Sequence, residues 1–332
     1  MRPRVAITAE LPGHAVERLG KSCHVCVNTS GKMSDEDAMI EFIGSAEAVL
    51  TLLANPVTDR VLAACPGLQI VGNCAVGFDN IDLEAARRRG VWVTNTPDVL
   101  TEATADLTWG LILAVTRRLG EAERFLREGR YQGWALDLLL GSGIQGRQLG
   151  LVGFGRIGRA VARRAGGFGM SVAYCDVEEL ADPDPAATFM PLEDLLSTSH
   201  VVSLHTPLSD ETRHLLDERR LRLMAPGAFL VNTARGPLVD EAALARVLED
   251  GHLGGAGLDV YEDEPAVHPG LLGREDVGLL PHIGSATVET RAAMAELAAT
   301  NILAVLAGEE PPTPVFFNAE AQRRKGAEPS QG

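Results

Sequence analysis

Three short segments in the second half of the chain each set a reactive side chain just past an apolar run. They are Val231-Asn232-Thr233-Ala234-Arg235-Gly236, Leu258-Asp259-Val260-Tyr261-Glu262-Asp263-Glu264-Pro265 and Leu280-Pro281-His282-Ile283-Gly284-Ser285. An arginine, a carboxylate and a histidine form a usable set. A guanidinium grips a carboxylate through paired hydrogen bonds. An imidazole gives or takes the proton that accompanies a hydride, and a neighbouring carboxylate favours its charged form. In an open α/β sheet the carboxyl ends of the strands form the binding crevice, so the three segments are expected to converge on one cleft.

A fourth segment, Gly153-Phe154-Gly155-Arg156-Ile157-Gly158, follows the apolar run Leu149-Gly150-Leu151-Val152 and opens a helical stretch. Its glycines permit a tight turn and the close approach of a pyrophosphate, and the helix N-terminus offers unpaired N–H groups. Alone, such a pattern could be a structural turn. Here the strand and helix flank it, and Asp176 ends the next strand eighteen residues beyond Gly158, as a dinucleotide site requires. A carboxylate at Asp176 accepts hydrogen bonds from ribose hydroxyls and repels a 2′-phosphate. Val177-Glu178-Glu179 adds no arginine, so NAD is expected rather than NADP, with NADH preferred over NADPH.

The elements that must position these groups read as two alternating series. In the first, strands are expected at Arg4 to Thr8, Val25 to Asn28, Ala48 to Thr51, Gln69 to Gly72 and Val91 to Thr94, with helices such as Ser34 to Ile43 and Leu83 to Arg89 between them. Asn95-Thr96-Pro97-Asp98 breaks that rhythm before a long helix from Leu100 to Thr116. The second series has strands at Leu149 to Val152, Ser171 to Tyr174, Val201 to Leu204, Ala228 to Val231, Ala256 to Asp259 and Val277 to Leu280. Its helices are Arg156 to Ala165 and Glu241 to Glu249. Strand and helix in alternation imply parallel sheets wound on both sides. After a helix from Ala286 to Leu306, Pro311-Pro312-Thr313-Pro314-Val315 is extended by composition and could carry the chain back to the first domain. The expected architecture is α/β, two doubly wound parallel-sheet domains with a hinge near Pro97. Residues 99–286 form a Rossmann NAD-binding domain inserted into a flavodoxin-like substrate domain of residues 1–98 plus 287–320. The tail 321–332 lacks apolar periodicity and is expected to be disordered.

Bulk properties narrow the partners. A length of 332 residues suits two domains of ~150 residues each. The formal charge of −15, with no basic cluster, argues against nucleic acid or an anionic membrane as partner. No run of about 18 apolar residues occurs, and the start moves directly into a strand pattern, so a cytoplasmic protein is expected. Five scattered cysteines suit a reducing compartment. Cys23-His24-Val25-Cys26 has metal-like spacing but no second pair, so no metal is expected.

At these residues the sequence resembles the D-isomer-specific 2-hydroxyacid dehydrogenase family, over nearly the whole chain. The most specific pieces are Val76-Gly77-Phe78-Asp79-Asn80-Ile81-Asp82, Val152 to Gly158, Asn232 to Gly236, Asp259 to Pro265 and Pro281 to Thr287. Within the family it looks closest to the glyoxylate/hydroxypyruvate reductases. The resemblance implies Arg235 as clamp on the substrate carboxylate and carbonyl and His282 as acid/base. It makes Glu264, rather than Glu262, the partner of His282. It puts substrate contacts at Leu53, Val76, Gly77 and Trp134, the backbone N–H groups of Val76 and Gly77 facing the carboxylate. It implies cofactor contacts at Thr104, Gly153, Gly155, Arg156, Ile157, Gly158, Asp176, Thr206, Pro207, Thr212, Thr233, Ala234, Asp259, His282 and Gly284.

Plainer readings stand beside these. Arg235 could be a surface arginine, Asp259 a cap and Thr104 a bond to its own backbone. The other seven histidines carry no such setting, although His205 ends a strand at the expected cofactor cleft. Gly133-Trp134-Ala135-Leu136-Asp137-Leu138-Leu139-Leu140 is apolar without a clean period; Trp134 could be core, or could cross a homodimer interface as the resemblance implies. Asn73-Cys74-Ala75-Val76-Gly77 carries no basic residue, which favours a small 2-oxo or 2-hydroxy acid such as glyoxylate or hydroxypyruvate over a phosphorylated one. Phosphoglycerate, D-lactate, formate and phosphite dehydrogenases, and an NAD-sensing scaffold like the C-terminal-binding corepressors, remain the alternatives.

Overall fold

The computed structural model describes residues 2–31, 33–182 and 185–315. The expected disordered tail and residues 316–320 of the expected substrate domain lie outside the described residues. The chain divides into two compact units, one made of residues up to Leu100 together with those from Ala286, the other of Thr101–Ser285.

The first unit begins with β1 (Arg4–Ile7), α1 (Ala15–Gly20), β2 (His24–Val27), α2 (Glu36–Ile43) and β3 (Ala48–Thr51). It continues with α3 (Asp59–Ala64), β4 (Ile70–Asn73), α4 (Leu83–Arg89) and β5 (Trp92–Thr94). The strands are parallel in the order β2-β1-β3-β4-β5, the flavodoxin arrangement. Side chains alternate across the sheet. Val49, Val71 and Val93 pack on one face with Ile43 and Leu62, while Leu50, Ile70 and Trp92 pack on the other with Leu19 and Ile302. Two-sided burial is why the strands read as apolar runs rather than as an alternating pattern. Helix starts are set by acid or hydroxyl caps: Asp35, Thr58 and Asp82 accept the N–H groups of Ala38, Val61 and Ala85.

The second unit opens with α5 (Thr101–Thr116), α6 (Leu119–Arg127), β6 (Gln148–Val152), α7 (Arg156–Ala165), β7 (Ser171–Cys175) and β8 (Thr188–Phe189). Next come α8 (Leu192–Thr198), β9 (Val201–Leu204), α9 (Glu218–Leu223), β10 (Phe229–Asn232) and α10 (Glu241–Glu249). It ends with β11 (Gly255–Leu258), α11 (Pro269–Leu272) and β12 (Val277–Leu279). Seven parallel strands run β12-β11-β10-β9-β6-β7-β8. This is the Rossmann order with β12 added at one edge, and its topological switch point lies between β6 and β9. Gly257 and Gly278 let α5 lie close, since a Cβ at either would meet Val115 or Leu111 at 3.2 Å. Trp109 on α5 donates its indole N–H to the Val161 carbonyl at 3.0 Å.

The chain then returns to the first unit through α12 (Val288–Leu306), which packs on α1, β3, β4 and β5. It starts two residues later than expected because the Thr287 side chain caps it on the Thr290 N–H. Beyond α12, Pro314 bridges Thr94 in antiparallel fashion and the Val315 N–H reaches the Val93 carbonyl at 2.9 Å. No helix among the described residues is long and apolar enough to cross a membrane. Cys23 is buried and Cys26 exposed.

Gly150 in β6 tests how closely the second sheet is covered. A Cβ there would collide with the Ser199 hydroxyl and lie 2.7 Å from a Leu195 methyl. Gly150→Ala is expected to destabilise the protein by about 1–3 kcal/mol, read by denaturant titration of the purified variant; an unchanged midpoint would mean that α8 yields freely.

Candidate active site

The glycine turn is built by close approach. Gly153 follows β6 with φ 94°, and a Cβ on it would lie 2.7 Å from the His205 carbonyl, so the loop after β9 presses directly on the turn. At Gly158 a Cβ would overlap the Gly153 carbonyl, which seats α7 on the turn. Gly155 is the opposite case. It caps α7 in an extended conformation, and a Cβ there would meet nothing within 4 Å. The helix carries no acidic residue in its first turn, so its N-terminus offers open space, N–H groups and a favourable dipole to a phosphate. The residues present fit a dinucleotide.

Asp176 is held against this turn. One carboxylate oxygen accepts the Phe154 N–H and the other the Val177 N–H, each at 2.7 Å, leaving further lone pairs for ribose hydroxyls. Thr206, Pro207 and Thr212 lie in the loop after β9. There the Thr212 hydroxyl donates to the Pro207 carbonyl at 2.8 Å and accepts the Ser209 N–H at 2.7 Å, which closes the loop on itself. Burial pushes the His205 imidazole down to about 3, so it is neutral and shares a hydrogen bond with Ser203 at 2.9 Å.

The three reactive segments leave neighbouring strands β10, β11 and β12. Asn232 shapes the first, accepting the Ala234 N–H at 3.0 Å and donating to the Arg235 carbonyl at 2.8 Å. The Thr108 hydroxyl donates to the Thr104 carbonyl at 2.8 Å, so in its 2.9 Å contact with Thr233 the donor is Thr233. Arg235 itself is extended, with one terminal nitrogen on the Ala234 carbonyl. Next to it, a Cβ on Gly236 would overlap the Tyr261 carbonyl. Only glycine lets the Arg235 segment meet the carboxylate segment this closely.

Asp259 is fully buried and accepts the N–H groups of Ile283 and Gly284, both at 2.7 Å. It thereby clamps the turn that carries His282, whose φ of 53° lies in the left-handed region. Burial raises the Asp259 carboxyl above its ordinary value, against the pull of those N–H groups and of His282. Gly284 packs beside it, its Cβ position 3.2 Å from the Asp259 carboxylate and 3.6 Å from the Thr104 methyl. The Tyr261 hydroxyl donates to the Leu280 carbonyl at 2.7 Å, and its N–H to one Glu264 oxygen at 3.1 Å. The other Glu264 oxygen lies 2.9 Å from His282 Nδ1. Burial pushes the Glu264 carboxyl up, but the hydrogen bond and charge of His282, with Arg235 nearby, outweigh it and hold it below 4.5. His282 Nε2 has no partner among the described residues, so the ring can pass a proton outward while Glu264 balances its charge.

Other expected residues are placed elsewhere. Leu53, Val76 and Gly77 belong to the first unit, half-buried in the segments that follow β3 and β4. Trp134 is 81% exposed in the irregular stretch after α6, so its core alternative does not hold. Two neighbours of the site gave no sequence signal. His214, read as an ordinary histidine, meets Glu262 at 2.5 Å, and the buried Glu241 accepts the N–H groups of Glu262 and His268 at 2.7 and 3.1 Å. Glu241 looks in sequence like any acidic first-turn residue of a helix.

Comparison with known proteins adds an independent finding. The family model described as D-isomer specific 2-hydroxyacid dehydrogenase, NAD binding domain, matches residues 109–284. Glyoxylate reductase of Thermococcus kodakarensis is 46% identical over 332 residues, covering 98% of this chain and 100% of that protein. That of Thermococcus onnurineus is 45% identical over 334 residues, covering 99% and 100%. Among solved structures, a Thermus thermophilus protein superposes with TM-score 0.90 at 46% identity, covering 94% of this chain and 100% of its own. The NADPH-dependent glyoxylate/hydroxypyruvate reductase of Sinorhizobium meliloti, in complex with NADP and malonate, gives 0.86 at 35%, covering 96% and 98%.

The contact at Gly236 sets an expectation. Gly236→Ala must push the Arg235 and Tyr261 segments apart by an ångström or so, and a shift of that size costs on the order of 100-fold in rate. Turnover of the folded variant is expected to fall by that factor. Full turnover in the variant would show that the two segments need not touch.

Proposed function

The chain belongs to the D-isomer specific 2-hydroxyacid dehydrogenase family, and from that membership we propose that it reduces glyoxylate, with hydroxypyruvate as a second substrate, using NADH in preference to NADPH. It is an oxidoreductase that acts on a small acid with a nicotinamide cofactor. The observation that carries the catalytic reading is the His282–Glu264 pair at 2.9 Å, with Nε2 unengaged among the described residues. A nicotinamide held there would supply the hydride. Arg235 holds the substrate carboxylate and carbonyl oxygen, and His282 Nε2 delivers the proton to that oxygen as it gains charge. Glu264 stabilises the imidazolium that reduction requires. Val76, Gly77, Leu53 and Trp134 are proposed to complete the substrate contacts. Gly153 to Gly158, Thr206, Pro207, Thr212, Thr233, Ala234, Thr104, Asp259 and Gly284 would hold the dinucleotide.

Asp176 supports NADH, because its fixed carboxylate would face a 2′-phosphate with like charge. The lack of a basic residue from Asn73 to Gly77 supports a substrate without phosphate. A homodimer and a cytoplasmic location belong to the same proposal. Trp134, Leu136 and Leu140 are 81%, 81% and 65% exposed along one stretch, an apolar surface that a second copy would cover, and the five cysteines are free, as a reducing compartment allows.

Initial rates against a panel of 2-oxo acids test this directly. NADH oxidation with glyoxylate or hydroxypyruvate is expected to exceed that with 3-phosphohydroxypyruvate. Equal or better turnover with NADPH would remove Asp176 as the discriminating group. His282→Ala should lower kcat by about 100- to 10,000-fold, whereas Arg235→Ala should also raise KM; an unchanged KM contradicts the clamp. Reduction needs a protonated imidazole, so its rate falls as pH rises. The bond and charge of His282 hold the Glu264 carboxyl below its ordinary value, so the support it gives the imidazolium persists further into acid than an ordinary glutamate's would. In Glu264→Gln the alkaline fall should therefore move to lower pH, and a superimposable profile would take Glu264 out of the reaction.

A further inference from the structure

Ala75 to Phe78 form a strap after β4 in which three successive carbonyls are fastened. The Ala75 carbonyl accepts the Thr96 N–H, the Val76 carbonyl the Asn95 side-chain amide, and the Gly77 carbonyl the Asn73 side-chain amide, each at 2.8 Å. Within a trans peptide the C=O and the following N–H point in opposite directions. Drawing these carbonyls toward Asn73, Asn95 and Thr96 therefore turns the N–H groups of Val76, Gly77 and Phe78 away from them. None of the three has a hydrogen-bond acceptor among the described residues. Val76 and Gly77 are half-buried and Phe78 is 37% exposed. Successive backbone N–H groups left open in this way make an anion-binding concavity.

The two asparagines are themselves held. Asn73 is fully buried, and its oxygen accepts the Thr51 hydroxyl at 3.0 Å, which directs its NH₂ at Gly77. The backbone of Asn95 is tied to Thr313, whose hydroxyl donates to the Asn95 carbonyl at 2.7 Å. Thr313 in turn makes two hydrogen bonds, at 2.8 and 3.0 Å, with the buried Asn301 of α12. An amide suits the position behind an anion site because it donates without bringing a charge. A carboxylate there would neither hold the strap carbonyl nor tolerate a bound anion.

We propose that Asn95 and Asn73 are positioning residues for the substrate carboxylate, aligning the N–H groups of Val76 and Gly77 and adding that of Phe78 as a third donor. The proposal rests on the reading of the strap as the carboxylate-binding part of a 2-oxo acid reductase. Its test measures KM and kcat for glyoxylate, inhibition by oxalate, NADH affinity by fluorescence and melting temperature in the wild-type protein, Asn95→Ala and Asn73→Ala. The expected result is a rise of about 10- to 100-fold in both the glyoxylate KM and the oxalate inhibition constant, with NADH affinity unchanged. A lower melting temperature with unchanged KM and oxalate inhibition would overturn it, because the asparagines would then serve stability alone. Where an alanine variant does not fold, Asn95→Asp carries the test, since it keeps the shape and removes the donor; oxalate inhibition equal to wild type overturns the proposal there too. If the wild-type protein binds NADH but is neither active on glyoxylate nor inhibited by oxalate, the functional reading falls and this one with it. If it is both and the variants match it, only the asparagine assignment falls.

Discussion

A buried carboxylate must find hydrogen bonds or lose its charge, and Asp259 meets that demand with the N–H groups of Ile283 and Gly284. The rest of the second unit's cleft follows from this one requirement. The turn at His282 cannot drift from the end of β11 without leaving a carboxylate unsatisfied, and its left-handed backbone at His282 is held in place by the same bonds. Tyr261 then secures the Leu280 carbonyl from the other side, and Gly236 lets the Arg235 segment close down on Tyr261. Backbone contacts between adjacent loops bring the arginine, glutamate and histidine segments together, and the 2.9 Å bond between Glu264 and His282 joins two of them directly.

Parallel strands bring their C-terminal ends to one side of a sheet, which is why so much of this site was legible from residue types alone. The fingerprint Gly153 to Gly158, the acid at Asp176 and the polar groups following β10, β11 and β12 each sit where an apolar run stops. The helices α4, α7 and α10 fall at the residues expected, because each has a clear apolar stripe and an Asp or Gly at its start. Short helices were less visible. α1, α3 and α9 have six residues each and β8 has two, too few for a period to stand out, and they are fixed by packing on a sheet that the local sequence does not describe.

The polar framework behind the site was hidden for a different reason. His214 and Glu262 are 48 residues apart, and Asn95 and Thr313 are 218 apart. No spacing rule links such pairs. Asparagine in particular reads in sequence as a turn former, and Asn73, Asn80 and Asn95 all occur near turns. Their work as donors to backbone carbonyls becomes visible only when the strand ends are assembled side by side.

The clasp between Thr313 and Asn301 also bears on synthesis. Nascent chains emerge N-terminus first, and domains tend to fold as they leave the ribosome. Here residues 101–285 form a unit of their own, so they can fold while the first unit still lacks α12 and the segment that seats Asn95. The part of the protein made first is thus the part finished last, and a nascent chain cut short before Val288 would carry a complete second unit together with a first unit that has one face of its sheet uncovered.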